Sequence, residues 1–150
     1  MNRRVVIDTA YILPLFGIRV TNIDNDLLYK LSNKEYVLMY PELLITELLG
    51  KIGKNMRKER LREIPLPVIE ALEALLLETD ILLIKPRREH LETAIKLKIL
   101  GHDDMFDNIL YATAIHEKAM LLMKDPTFES FLKKHKLRTD IIVRKEILNT

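Results

Sequence analysis

The chain contains no cysteine, which excludes disulfides, thiolate zinc sites and cysteine nucleophiles and makes an intracellular life the simplest setting. It has no apolar run long enough to span a bilayer. Arg3 and Arg4 precede an apolar stretch, but Asp8 interrupts it and Pro14 and Gly17 follow, so a secretory leader does not fit. Internal repeats, low-complexity tracts and linkers rich in Gly, Ser or Pro are missing. No glycine-rich turn follows the first apolar run, which excludes a dinucleotide-binding fingerprint. Strong charge of one sign is absent too: 24 Lys plus Arg against 22 Asp plus Glu leave a formal charge of +2. Any case for a nucleic-acid partner must therefore rest on local clusters. The expected protein is soluble and cytoplasmic and needs no membrane.

What is present is ordinary for a globular chain. Of 150 residues, 48% are hydrophobic and 31% charged, too apolar for disorder. A chain of this length buries about 68–70% of its unfolded surface, so one domain over 1–150 with one core is expected. Five short apolar runs, at 5–7, 36–39, 81–84, 120–123 and 141–143, read as strands buried on both faces. Between them lie segments with helical spacing at 24–32, 87–99, 104–117 and 127–134. Two more are opened by Pro41, through Leu43, Leu44, Leu48, Leu49 and Ile52, and by Pro67, through Val68, Leu72, Leu75 and Leu76. Alternating strands and helices predict a three-layer α/β/α fold with a mostly parallel, about five-stranded sheet.

Acids placed directly after strands occupy the position where open α/β sheets carry their sites. Asp8 follows the first run and Asp125, in "MLLMKDPTF", follows the fourth. Either alone is explained as a helix cap; two in one small sheet shift the balance toward chemistry, with capping as a second role. Glu47 falls at about 100° per residue between Leu43 and Leu44, at the margin of an apolar face. Glu42 is a favourable charge near a helix N-terminus. In "GHDDMFDNILYATAIHEK" the helix 104–117 is apolar on nearly every side, yet Asp107 projects among Leu110, Tyr111 and Ala114. A carboxylate there must be paired, protonated or metal-bound. Asp103 and Asp104 sit one turn earlier; Asp103 reads as a cap and Asp104 as an auxiliary candidate for the same face.

These residues resemble the PIN-domain ribonucleases, and among them the VapC-type toxins of prokaryotic toxin–antitoxin pairs. The resemblance spans nearly the whole chain. It lies in "VVIDTAYILPLF", "LLITELLGK", "FDNILYATAIHEKAMLLMKD" and Phe128 after the last acid. It implies that Asp8, Glu47, Asp107 and Asp125 converge as catalytic metal ligands for Mg²⁺ or Mn²⁺, that Asp104 can join them, and that Thr9 shapes the site. It also implies an antitoxin partner. Two positions depart from the usual pattern: Ala10 stands where many relatives have Asn or Ser, and Met123 where they have Thr or Ser. Both remove groups that could hold water near the metal, so weakened activity or a non-catalytic RNA-binding module is one alternative. An RNA-processing nuclease outside a toxin pair is another. A phosphatase with an aspartate nucleophile fits less well, because Ala10 stands where its second Asp belongs.

Oxygen-only ligation suits Mg²⁺ and Mn²⁺. The histidines at 90, 102, 116 and 135 lack zinc-ligand spacing, and His102 reads as a loop residue with no special role. Four ionised carboxylates about 6 Å apart repel by about 17 kcal/mol as an upper bound at an effective dielectric of about 20. That rivals the ~5–15 kcal/mol stability of a domain, so cations or raised pKa values are required, and at least one carboxylate is expected to hold a proton near neutrality without metal. The implied reaction is in-line attack of water on an RNA phosphodiester with metal assistance. A polyanion needs basic guidance. The run "KIGKNMRKERLREIPLP" supplies Lys51, Lys54, Arg57, Lys58, Arg60 and Arg62 as a helix end, lid or basic arm, and Lys133, Lys134, Lys136 and Arg138 form a weaker second group. The segments 24–32 and 41–76 offer more apolar helix than one small sheet needs, which a homodimer face or an antitoxin groove would use; core packing is the simpler account, and the antitoxin partner rests on the resemblance alone.

Overall fold

The computed structural model describes residues 3–77, 80–144 and 146–147. Its centre is β1 (Arg4–Ile7), whose β-branched Val5, Val6 and Ile7 are fully buried and suited to a pleated, packed strand. β1 pairs in parallel with β2 (Val37–Pro41) on one side and β4 (Met120–Leu122) on the other, Val5 standing opposite Leu38 and Met120. β3 (Ile81–Ile84) and β5 (Ile142–Val143) complete the order β3-β2-β1-β4-β5, every pairing parallel. Because the chain leaves β1 for β2 and returns through β4 on the opposite side, the carboxyl ends of β1 and β4 flank a topological switch point.

Six helices among the described residues cover the sheet: α1 (Leu27–Asn33), α2 (Ile45–Lys58), α3 (Leu66–Leu77), α4 (Arg88–Leu100), α5 (Met105–His116) and α6 (Pro126–Lys134). The result is the expected three-layer α/β/α architecture. α5 packs on β1, β2 and β4, with α4 against it; its Leu110, Tyr111, Ala112 and Ala114 are buried. Gly101 makes the turn from α4 to α5. Its φ of 116° closes the helix, with the Gly101 and His102 N–H groups donating to Lys98 and Leu97 carbonyls, a conformation that a side chain would strain.

Three expectations change. Burial on both faces holds for the inner strands but not for β3, where no residue is buried and Leu82 is 41% exposed, nor for β5; an edge strand has a neighbour on one side only. Pro41 ends β2 instead of opening a helix, with extended backbone at φ −64° and ψ 127°, and a 3₁₀ turn, Glu42–Leu44, precedes α2. That turn takes Leu43 out of the apolar face, so Leu44, Leu48 and Ile52 are buried while Leu43 and Leu49 are exposed. The basic run begins as helix, since α2 continues through Lys58. Among the described residues no helix is long and apolar enough to cross a membrane.

Candidate active site

Each sequence-predicted acid lies at the carboxyl end of the sheet or on a helix facing it. Asp8 follows β1, and its N–H continues the ladder by donating to the Leu122 carbonyl at 3.0 Å. Its side chain makes no helix-cap hydrogen bond to the 3₁₀ turn Thr9–Tyr11; the backbone group that bears on it is the Thr9 N–H, next in sequence. Asp125 follows β4 and does cap α6, its Oδ1 accepting from the Phe128 N–H at 3.1 Å. Asp107 stands in the first turn of α5. The cap of that helix is Asp104, whose Oδ1 accepts from Phe106 and Asp107 N–H groups at 2.9 and 3.3 Å. Asp103, expected to cap, is instead an exposed ion-pair partner of Lys98 at 3.1 Å.

The acids feel one another. Burial pushes Asp8 up to about 6, helped by the Glu47 and Asp125 charges and opposed by Lys51 and by a hydrogen bond from the Thr9 backbone. Asp107 is pushed up to about 8, first by burial and then by the charges of Asp104, Asp8, Asp125 and Glu47. Asp107 is thus biased toward its protonated form at neutral pH. Glu47, in the first turn of α2, has an Oε1 that is buried without any hydrogen-bond partner. Buried acceptors are rarely left unmatched. Among the described residues no three His, Asp or Glu side chains group tightly enough to grip an ion as they stand. The acids share an electrostatic neighbourhood, not a preformed cage. An all-oxygen set with one orphaned, buried carboxylate oxygen nonetheless fits a hard divalent cation.

Sequence reasoning placed Thr9 at the site but missed its partner. Thr9 is buried, with Oγ1 2.7 Å from the Tyr40 hydroxyl. Tyr40 donates its own proton to the Leu44 carbonyl at 2.9 Å, so Thr9 is the donor to Tyr40. This chain of two bonds ties the residue after Asp8 to the turn that launches the helix carrying Glu47. Tyr40→Phe should leave the Thr9 hydroxyl without an acceptor and destabilise the protein by about 1–3 kcal/mol, read as a lower urea midpoint at unchanged slope. The signal available in sequence was only a tyrosine ending an apolar run.

His102, dismissed as a loop residue, is held firmly. Asn108 donates Nδ2–H to the His102 carbonyl at 2.9 Å, which leaves its Oδ1 to accept from His102 Nδ1 at 2.9 Å. Nε2 therefore faces Asp107, 3.8 Å from Oδ2. Asn108, fully buried in an apolar helix, was the cue.

Lys51, one turn beyond Glu47 on α2, brings a positive charge to Asp8. Among the described residues none of Lys51, Lys54, Arg57, Lys58, Arg60 or Arg62 enters an ion pair, and all are exposed. Of the second basic group, Lys133 pairs with Glu129 at 3.9 Å and Arg138 with Asp140 at 3.0 Å. Met123 is 1% exposed, so the position two before Asp125 supplies packing and no ligand.

No curated protein sequence matches the chain. A solved structure described as a toxin–antitoxin complex from Klebsiella pneumoniae is similar in fold, with a TM-score of 0.55 at 16% identity over 94% of this chain and 97% of that one. The sequence pattern of the PIN domain matches residues 5–134, which takes in four of the five strands and all of Asp8, Glu47, Asp104, Asp107 and Asp125. The chain belongs to the PIN domain family, whose members are generally nucleases.

Proposed function

We propose that the chain, as one nuclease domain over 1–150, is a Mg²⁺- or Mn²⁺-dependent endoribonuclease acting in the cytoplasm as the toxin of a toxin–antitoxin pair. The observation that carries this reading is the buried, partnerless Glu47 Oε1 among acids whose proton affinities are raised by burial and by each other. Asp8, Glu47, Asp107 and Asp125 are the catalytic ligands, with Asp104 as auxiliary through its charge on Asp107. A divalent ion held by these carboxylates would offset phosphate charge and activate water near neutral pH. Thr9 and Tyr40 set the spacing between the Asp8 turn and α2. Lys51 at the acids, then Lys54, Arg57, Lys58, Arg60 and Arg62 beyond it, draw the RNA backbone toward a site that would otherwise repel it.

The antitoxin reading draws support from the toxin–antitoxin complex of similar fold and from a groove of about 480 Å³ lined by Leu15, Phe16, Leu28, Tyr29, Ala71 and Leu75, apolar enough to seat a partner helix. A homodimer is supported by α4, which exposes Leu91, Ile95 and Ile99 one turn apart on one face, at 42%, 54% and 77%.

The test is cleavage of a mixed single-stranded and structured RNA by purified protein. Activity should require Mn²⁺ or Mg²⁺, vanish with chelator, and fall by on the order of 10²–10³-fold in Asp8→Asn, the loss typical of one group that stabilises transition-state charge. Equal cleavage by wild type and Asp8→Asn marks a contaminant and sinks the reading.

A further inference from the structure

A line of rings leads away from the acids along α6. Asp125 caps that helix, and Phe128, Phe131 and His135 follow along its length. His102, whose Nε2 is 3.8 Å from Asp107, lies against both phenylalanines, its ring centroid 4.5 Å from that of Phe128 and 5.1 Å from that of Phe131. Phe131 in turn lies 4.6 Å from His135. Phe128 is buried, whereas Phe131 and His135 are half-buried.

His135 ends the line. Among the described residues its ring has Phe131 on one side and no second ring partner, and its side chain makes no hydrogen bond. The lysines on either side of it in sequence, Lys134 and Lys136, are exposed and enter no ion pair among the described residues, unlike Lys133 and Arg138. Lys136 has a positive φ of 57° at the turn that leaves the helix. A half-buried ring with one ring partner, flanked in sequence by two exposed lysines that enter no ion pair among the described residues, has the groups that single-strand binding uses, in which bases stack on rings and phosphates meet positive charge.

We propose that His135, with Lys134 and Lys136 beside it, is the stacking site for an unpaired nucleobase of single-stranded RNA whose backbone runs on to the acids. This rests on the ribonuclease reading above and adds to it where a nucleotide near the scissile phosphate is held. The bland role for His135 is a favourable polar group at a helix C-terminus. Phenylalanine separates the two, since it keeps the ring and loses the polar nitrogens.

The experiment is binding of a short single-stranded oligoribonucleotide, with 2-aminopurine placed at each position in turn, in chelator so that binding is read without cleavage. Wild type should quench the fluorophore at one position. His135→Ala and His135→Gln should both lose that quenching and bind about five- to a hundredfold more weakly, while His135→Phe restores quenching and affinity. Lys134→Ala and Lys136→Ala should each lower the slope of log affinity against log salt by about one. If Ala and Gln bind and quench as wild type does, or if Phe fails as they do, the stacking site is wrong. A wild type that binds and cleaves RNA with His135 irrelevant overturns this inference alone; a wild type that neither binds nor cleaves overturns the ribonuclease reading with it.

Discussion

Asp107→Asn is expected to cut cleavage severely and, without metal, to make the protein more stable above pH 8. Both effects come from one carboxylate. Its folded pKa is raised from 3.8 to about 8, by burial first and by Asp104, Asp8, Asp125 and Glu47 after it. A group with a raised folded pKa keeps its proton longer in the native state, so the wild type's stability is greatest below the unfolded value and declines as pH rises through the folded one. Asparagine has the same shape and no charge to bury. The two proteins should therefore melt together near pH 4 and diverge above it. With the partial solvent access of Asp107 discounted, the gap at pH 8 to 9 should be on the order of 2–3 kcal/mol. In a chain of this size that is about 5–10 °C in melting temperature. Cleavage should fall by on the order of 10²–10³-fold, because an amide cannot replace an anionic ligand. A variant that is less stable than wild type at pH 8, or that still cleaves, removes Asp107 from the site.

How far the candidate site was readable follows from which forces act locally. Asp8 and Asp125 were legible because an acid after a short apolar run is a local pattern, and the parallel sheet makes that pattern a place. Asp107 was legible because a charge on an all-round apolar helix is a conflict visible on a wheel. Glu47 was weaker: its position at the margin of an apolar face fits a surface residue equally well, and only the fold shows its Oε1 buried and partnerless. Tyr40 was invisible, since its two hydrogen bonds join Thr9 and Leu44, which no periodicity connects. His102 was misjudged for the same reason: Asn108 and the α6 rings that fix it are tertiary neighbours. The cap of α5 falls on Asp104, one residue beyond the preferred Asp103, a choice that propensity cannot resolve because both are equally good caps. Pro41 misled because proline is favoured both at a helix start and at a strand end that needs no N–H.

Adding millimolar Mn²⁺ should raise the melting temperature by about 5–10 °C at pH 8, as binding at a hundredfold excess over the dissociation constant contributes about 2.7 kcal/mol, and by much less at pH 5. The sign follows from the two raised carboxyls. Asp8, at about 6, and Asp107, at about 8, each carry stability that is full below 3.8 and is lost as pH climbs through those values. Metal-free protein should therefore melt at progressively lower temperature from pH 5 to pH 9. A divalent ion reverses that trend, because it needs the same oxygens deprotonated and supplies the positive charge that the protons had supplied. Below pH 6 protons hold both carboxyls and compete with the ion; above pH 8 they have left, and the uncompensated anions give it the largest advantage. The paired curves, with Mn²⁺ and with chelator, should thus separate steadily with rising pH. Curves that coincide at pH 8, or that lie further apart at pH 5, would mean that these acids do not hold the metal that the proposed ribonuclease activity requires.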